Sequence, residues 1–182
     1  HSFPTRRSSD LAVTCCFTVR QPEKCISTEE NMKIKNILIN ILVVFVSLYL
    51  GGWINMFLIE TGPKVIAPPA GVDITTEEGL KQGMALMQPQ HFFFPYLAHA
   101  AGTLIAAILI TILARTNHFR LAMIPGFAFL IGGIMMVMML PSPLWFDALD
   151  LIGAYLPMSY LGYWLGMKFK KPKMPHSSCR LN

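Results

Sequence analysis

Residues 92–114 read FFFPYLAHAAGTLIAAILITILA, a run without a single Asp, Glu, Lys or Arg. A bilayer core about 30 Å thick takes about 20 apolar residues of helix, at roughly 1.5 Å per residue. This run meets that length, and its neighbours are of the same kind. Apolar stretches fill 34–59 before it, and 121–140 and 144–167 after it. Together they predict an all-α fold, a four-transmembrane-helix bundle with an outer loop over 60–91 that carries a short amphipathic helix. A water-soluble helical protein has no means of solvating faces such as 34–50 or 124–140.

The chain ahead of these stretches is of another character. His1-Ser2-Phe3-Pro4-Thr5-Arg6-Arg7-Ser8-Ser9-Asp10-Leu11 resembles the translation, in one frame, of a common short-read sequencing adapter. All twelve methionines lie at Met32 or later. The expected organisation is therefore a non-native, disordered leader over 1–31, a membrane domain over 32–171 opening at Met32, and a cytoplasmic tail over 172–182. A signal peptide built on Leu11–Phe17 is the rival reading; its apolar part is short and no small-residue cleavage site follows. Cys15, Cys16 and Cys25 fall in the leader and Cys179 in the tail. The membrane domain thus has neither a disulfide framework nor a cysteine zinc site.

The net charge of +5 does not mark a nucleic-acid binder, because of where the charges sit. Lys33 and Lys35 precede the first stretch. Arg115 and Arg120, with His118 between them, lie between the second and third. Lys168, Lys170, Lys171 and Lys173 close the fourth. If the stretches alternate across the bilayer, these groups share one side. The other side carries Lys64 and Lys81 against Glu60, Asp73, Glu77 and Glu78. The positive-inside rule then places both termini in the cytoplasm and the 60–91 loop outside. In that loop, the prolines and glycines of 62–73 predict turns. After them, Thr75 or Thr76 can cap a helix with Glu77 and Glu78 in its first turn, and Thr75 with Glu78 would form a capping box. Leu80, Met84 and Met87 give that helix one apolar stripe, suited to a membrane surface or to the bundle mouth, and Pro89 ends it.

Polar side chains inside the stretches carry whatever chemistry there is. Ionisable groups in a membrane are costly and face a bundle interior or a water-filled cavity. Asn40, near its own interface, stands apart from the rest. Counted along the helices, Asn55, Glu60, His99, Asp147 and Asp150 share the depth of the outer leaflet, and they form the candidate ligand-binding cluster. Such a set can bind a divalent metal, hold a small ligand or relay protons. No His-Glu-x-x-His or other local metal signature accompanies it, and no cofactor is expected. The bland reading makes Asp147 and Asp150 helix-terminal charges and His99 a structural histidine. Met135, Met136, Met138 and Met139 have the softness for Cu(I), but consecutive helical positions point to different faces, so they are expected as lipid-facing or core.

Small residues suggest how the helices meet. Gly51-Gly52, Ala98-x-x-x-Gly102-x-x-x-Ala106, Gly132-Gly133 and Gly162-x-x-x-Gly166 all permit close backbone approach. The last pair is also a candidate homodimer face. Pro157 predicts a kink in the fourth stretch, freeing the carbonyl of Gly153. Tyr155, Tyr160, Tyr163 and Trp164 are interfacial anchors or pocket lining, with Trp164 the expected anchor at the inner boundary.

The segments 65–73 (VIAPPAGVD), 91–100 (HFFFPYLAHA) and 140–146 (LPSPLWF) resemble those of a group of small bacterial integral membrane proteins without an assigned activity. The resemblance covers 32–171. It implies a bacterial cytoplasmic membrane and carries over no functional residue. The expected function is that of a non-enzymatic membrane protein, accessory or small-ligand-binding, whose partners are the lipid bilayer and, through Gly162 and Gly166, a second copy. One alternative is a small proton-coupled transporter or permease subunit, which would need polar residues in both leaflets. The other is an intramembrane enzyme using His99 with Asp147 or Asp150 as acid and base.

Overall fold

A computed structural model describes residues 22–170, with side chains from Glu30 onward. The leader segment 1–21, the tail 172–182 and Cys179 lie outside the described residues. Within them the regular elements are helical: α1 Pro22–Val65, α2 Glu77–Met84, a 3-10 turn Pro89–Phe92, α3 Phe93–Leu113, α4 His118–Ala122, α5 Ile124–Met139, α6 Leu144–Gly153 and α7 Leu156–Phe169. Three segments, Glu30–Val65, Pro89–Leu113 and His118–Met139, are long and apolar enough to cross a membrane. Leu42, Phe45, Tyr49 and Trp53 of α1, and Phe127, Ile131 and Met138 of α5, are exposed. Faces of this kind are solvated by lipid rather than water, so the chain is a membrane protein.

The chain divides into two compact units, His1–Leu38 and Ile39–Asn182. In the first, the described part is the opening of α1, where Met32, Ile34, Ile37 and Leu38 are exposed. The second holds the remaining helices.

Helix α1 is longer than its apolar stretch at both ends. Its described part begins at Pro22. It also runs through Pro63 to Val65, where the sequence predicts turns from Gly62. Pro63 stands in the final turn, so its missing N–H removes a bond where the ladder is about to end. Ile66 N–H still reaches Gly62 O at 2.8 Å.

The stretch 144–167 is not one helix. The kink expected at Pro157 is a full break between α6 and α7. Proline offers no N–H to the Gly153 carbonyl and its ring crowds that carbonyl; one residue into a new helix it is harmless. Tyr155 takes up the turn with φ −109° and ψ −77°. Ala154 and Tyr155, at the break, are both buried.

Helix α3 is the centre of the second unit because it is small on two sides. One side, Gly102 and Ala106, meets Gly51 of α1: a Cβ on Gly51 would stand 2.6 Å from the Gly102 carbonyl oxygen and 2.9 Å from Ala106 Cβ. The other side meets α7. A Cβ on Gly162 would lie 2.7 Å from Leu104 O, and one on Gly166 2.6 Å from Thr111 Cβ. Both glycines are buried, close against α3. Thr103 and Thr111 return their hydroxyls to the carbonyls of His99 and Ala107 at 2.7 and 2.8 Å, which pairs these two hydroxyls within α3 itself.

Two polar side chains fasten the end of α3. Asn40 of α1 donates to Thr116 Oγ1 at 2.9 Å and accepts from Arg115 N–H at 2.8 Å. Lys170 donates to the carbonyls of Thr111 and Ala114 at 3.2 and 3.1 Å and to the His118 ring, a cation where a helix C-terminus favours one. Asn40→Leu, which orphans the Arg115 N–H, is expected to destabilise by about 1–2 kcal/mol. Ser47→Ala is the comparison. Ser47 is just as buried, but its hydroxyl has no partner among the described residues, so its loss is expected to be close to neutral. Denaturant unfolding of the two variants in detergent checks this; equal losses would mean the Asn40 bonds contribute nothing.

The connection after α1 is tied down locally. Asp73 accepts from the backbone N–H and hydroxyl of Thr75 at 2.9 and 2.6 Å, and these bonds hold its carboxyl below the usual range. Thr76, not Thr75, caps α2, accepting from Gly79 N–H at 3.1 Å. The third helical position is then glycine, so no capping box closes. Lys81 pairs with Glu77 at 2.5 Å, a bond that raises its pKa. His91 accepts from Gln88 N–H at 3.0 Å through Nδ1 and donates from Nε2 to Ala67 O at 3.1 Å. That ties the turn-rich segment to the start of α3. Phe92 packs on Trp145 and Phe146, with centroids 5.6 and 4.8 Å away, and so anchors the same turn to α6.

Candidate functional site

His99 projects from α3 toward the break between α6 and α7. Its Nδ1 lies 2.9 and 2.8 Å from the two carboxylate oxygens of Asp150. The Tyr155 hydroxyl donates to Asp150 Oδ2 at 2.9 Å and stands 3.0 Å from the same Nδ1. The two rings stack with centroids 5.6 Å apart. Carboxylate oxygens only accept, so Nδ1 carries its hydrogen and donates. The cluster is largely buried: the side chains of His99 and Asp150 are 17% and 5% exposed.

Each member is placed by a local feature of the sequence. Asp150 is in the last turn of α6, and the turn at Tyr155 swings the phenol back beside it. In an unbroken helix, residues five apart would point roughly 140° away from each other. The break at Pro157 is what lets Asp150 and Tyr155 touch. Gly133 of α5 makes the room, since a Cβ there would collide with the Tyr155 hydroxyl.

A cavity of about 320 Å³ opens beside this cluster, lined by Asn55, His99, Phe129, Gly132, Gly133, Met135, Met136, Met139 and Tyr155. Its size and its apolar lining with a few polar groups are those of a small-molecule pocket. Asn55 Oδ1 is buried and has no hydrogen-bond partner among the described residues. His99 Nδ1 is engaged by Asp150, so Nε2 is the ring nitrogen left for a ligand. A second space, about 60 Å³ under Pro68, Ile74 and His91, holds little more than water.

The five residues grouped by depth therefore separate. His99 and Asp150 meet directly, and Asn55 shares the cavity with His99. Asp147 is buried but turned to its own helix start, accepting from Ser142 Oγ at 2.5 Å. Glu60 is exposed and away from the cluster. Asn55 and Glu60 are five apart on one helix, so depth alone could not bring both to one cavity. Tyr155 is the member that depth did not single out; the proline two residues after it is the signal that its orientation is special. Three of the four methionines expected as lipid-facing or core also line the cavity, while Met138 is 82% exposed. Among the described residues, no three of His, Cys, Asp and Glu are grouped as a metal site. Comparison with protein-family models, curated proteins and solved structures finds no significant match.

Proposed function

We propose that this chain is a four-span protein of a bacterial cytoplasmic membrane that binds a small molecule in the cavity beside His99, in an accessory rather than enzymatic role. The observation that supports binding is the cavity itself. It pairs an apolar wall with an unpartnered Asn55 oxygen and a histidine whose far side is locked by Asp150 and Tyr155. Locking one ring nitrogen fixes the direction of the other, which is what a site needs to orient a ligand. The discontinuous fourth span supports the same reading, because a break in the membrane is tolerated where it lines a cavity.

On this reading α6 and α7 make the fourth crossing together. Alone they reach roughly 15 and 21 Å at 1.5 Å per residue, too short for a bilayer core of about 30 Å, whereas their sum suffices. Lys168 lies 3.4 Å over the Trp164 ring, an interfacial pairing that supports an inner boundary there. Both termini are then cytoplasmic and α2 lies outside. With the native cysteines replaced by serine, Thr76→Cys is expected to react with an impermeant maleimide added outside cells, and Asn117→Cys only after lysis. The opposite pattern would invert the topology.

Binding is tested by filling the cavity. A Cβ on Gly132 meets nothing within 4 Å, so Gly132→Leu projects into empty space and leaves the His99 cluster intact. The fluorescent probe 1-aminoanthracene is expected to bind the purified protein saturably, and Gly132→Leu to lower its affinity at least tenfold with the thermal midpoint unchanged or raised. Equal binding by both proteins would remove the cavity from the argument.

A further inference from the structure

The hydrogen-bond balance of the cavity says more about its occupant, on the premise that the cavity binds small molecules. We propose that the ligand is a neutral aromatic compound with a hydroxyl group, entering from the bilayer and donating that hydroxyl to His99 Nε2. The donors of the cluster are already committed. Nδ1–H points to Asp150 and the Tyr155 O–H donates to Asp150 Oδ2. With Nδ1 donating to Asp150, the Nε2 lone pair is what the ring offers a ligand, and the nearby Asn55 Oδ1, which has no partner among the described residues, is also an acceptor. A ligand with only carbonyl or ether oxygens can accept from the Asn55 amide but leaves both acceptors without a donor. A hydroxyl donates to one and can accept from the Asn55 amide.

Charge argues for a neutral molecule. The lining holds no Lys or Arg to attract an anion, and no carboxylate to attract a cation; Asp150 lies behind the ring with its oxygens occupied. The wall argues for aromaticity. Phe129, the Tyr155 ring and the thioethers of Met135, Met136 and Met139 are surfaces on which a flat ring packs well, sulfur against ring edge included. Size argues for more than one ring. The space is about twice the ~150 Å³ that accommodates benzene in an engineered apolar cavity. The half-exposed methionines on α5 leave the entrance toward lipid, where such molecules concentrate.

The experiment is displacement of 1-aminoanthracene by 2-naphthol and by 2-methoxynaphthalene, equal in rings and different in the donor. The expected result is at least a tenfold preference for 2-naphthol, shrinking toward unity in Asn55→Leu and in His99→Gln, with both ligands excluded by Gly132→Leu. Asn55→Leu leaves Asp150 and Tyr155 untouched, so the readout survives if His99→Gln folds poorly. Equal displacement by the two naphthalenes, abolished by Gly132→Leu, would overturn the hydroxyl inference while the binding reading stood. Failure of 1-aminoanthracene itself to bind would overturn the binding reading, and this inference with it.

Discussion

Asp150→Ala is expected to destabilise the protein by about 1–3 kcal/mol, more than His99→Ala or Tyr155→Phe. The asymmetry follows from who depends on whom. Asp150 is the acceptor for both the His99 N–H and the Tyr155 O–H, and all three groups are largely buried. Removing a shared acceptor leaves two buried donors unpaired, each costing about 1–3 kcal/mol in a water-soluble protein. In a membrane the unfolded reference also finds partners, and measured interhelical bonds average about 0.6 kcal/mol. The prediction therefore sits in the lower part of the combined range. Asp150→Asn keeps one acceptor oxygen and is expected to recover part of the loss. The double variant His99→Ala with Asp150→Ala should cost less than the sum of the two, by about 0.5 kcal/mol or more, because after one change the bond between the pair is already lost. Unfolding in mixed micelles measures the parent and the five variants, and an additive cycle would show that the geometry contributes no coupling.

The same cluster shows what a chain of this kind reveals before its structure is known. The spans over 92–114 and 121–140 are visible because lipid demands length and apolarity, and both are local properties of the sequence. Depth is visible for the same reason: the count from the outer ends put His99 and Asp150 at one level, and they meet. Azimuth is legible only along one helix, by the 3.6-residue period, and that period separates Asn55 from Glu60. It says nothing about which face of α3 turns toward α6, so the partner of His99 could be narrowed but not chosen. Tyr155 was hidden more deeply. Its contact with Asp150 exists only because the helix stops between them, and Pro157 announces a disturbance without giving the direction in which the chain resumes. The extension of α1 through Pro63 is the converse case. There a helix breaker lies so near the end that little ladder remains for it to break.

Gly51→Leu and Gly52→Leu, neighbouring changes of identical chemistry, are expected to diverge sharply. A side chain at Gly51 meets the Gly102 carbonyl oxygen at 2.6 Å, which is backbone and cannot rotate away, and Ala106 Cβ at 2.9 Å. Relief requires α1 and α3 to move apart, opening the contact that holds the long first helix against the central one. Overpacking of this kind costs about 1–3 kcal/mol, and more where the obstacle is rigid. It also separates Asn55, four residues further along α1, from His99, so affinity for the 1-aminoanthracene probe should fall together with stability. At Gly52 a Cβ meets nothing within 4 Å, and leucine is intrinsically the better helix former by roughly 1 kcal/mol; that variant should match or exceed the parent in both measurements. In a membrane, where apolar side chains gain nothing by leaving lipid, close backbone approach is itself a main source of helix affinity. The two positions therefore ask whether α1 is held by that approach. Thermal unfolding and probe binding on both variants answer it, and a Gly51→Leu protein as stable as Gly52→Leu would mean that α1 is held by Asn40 and lipid rather than by its glycine.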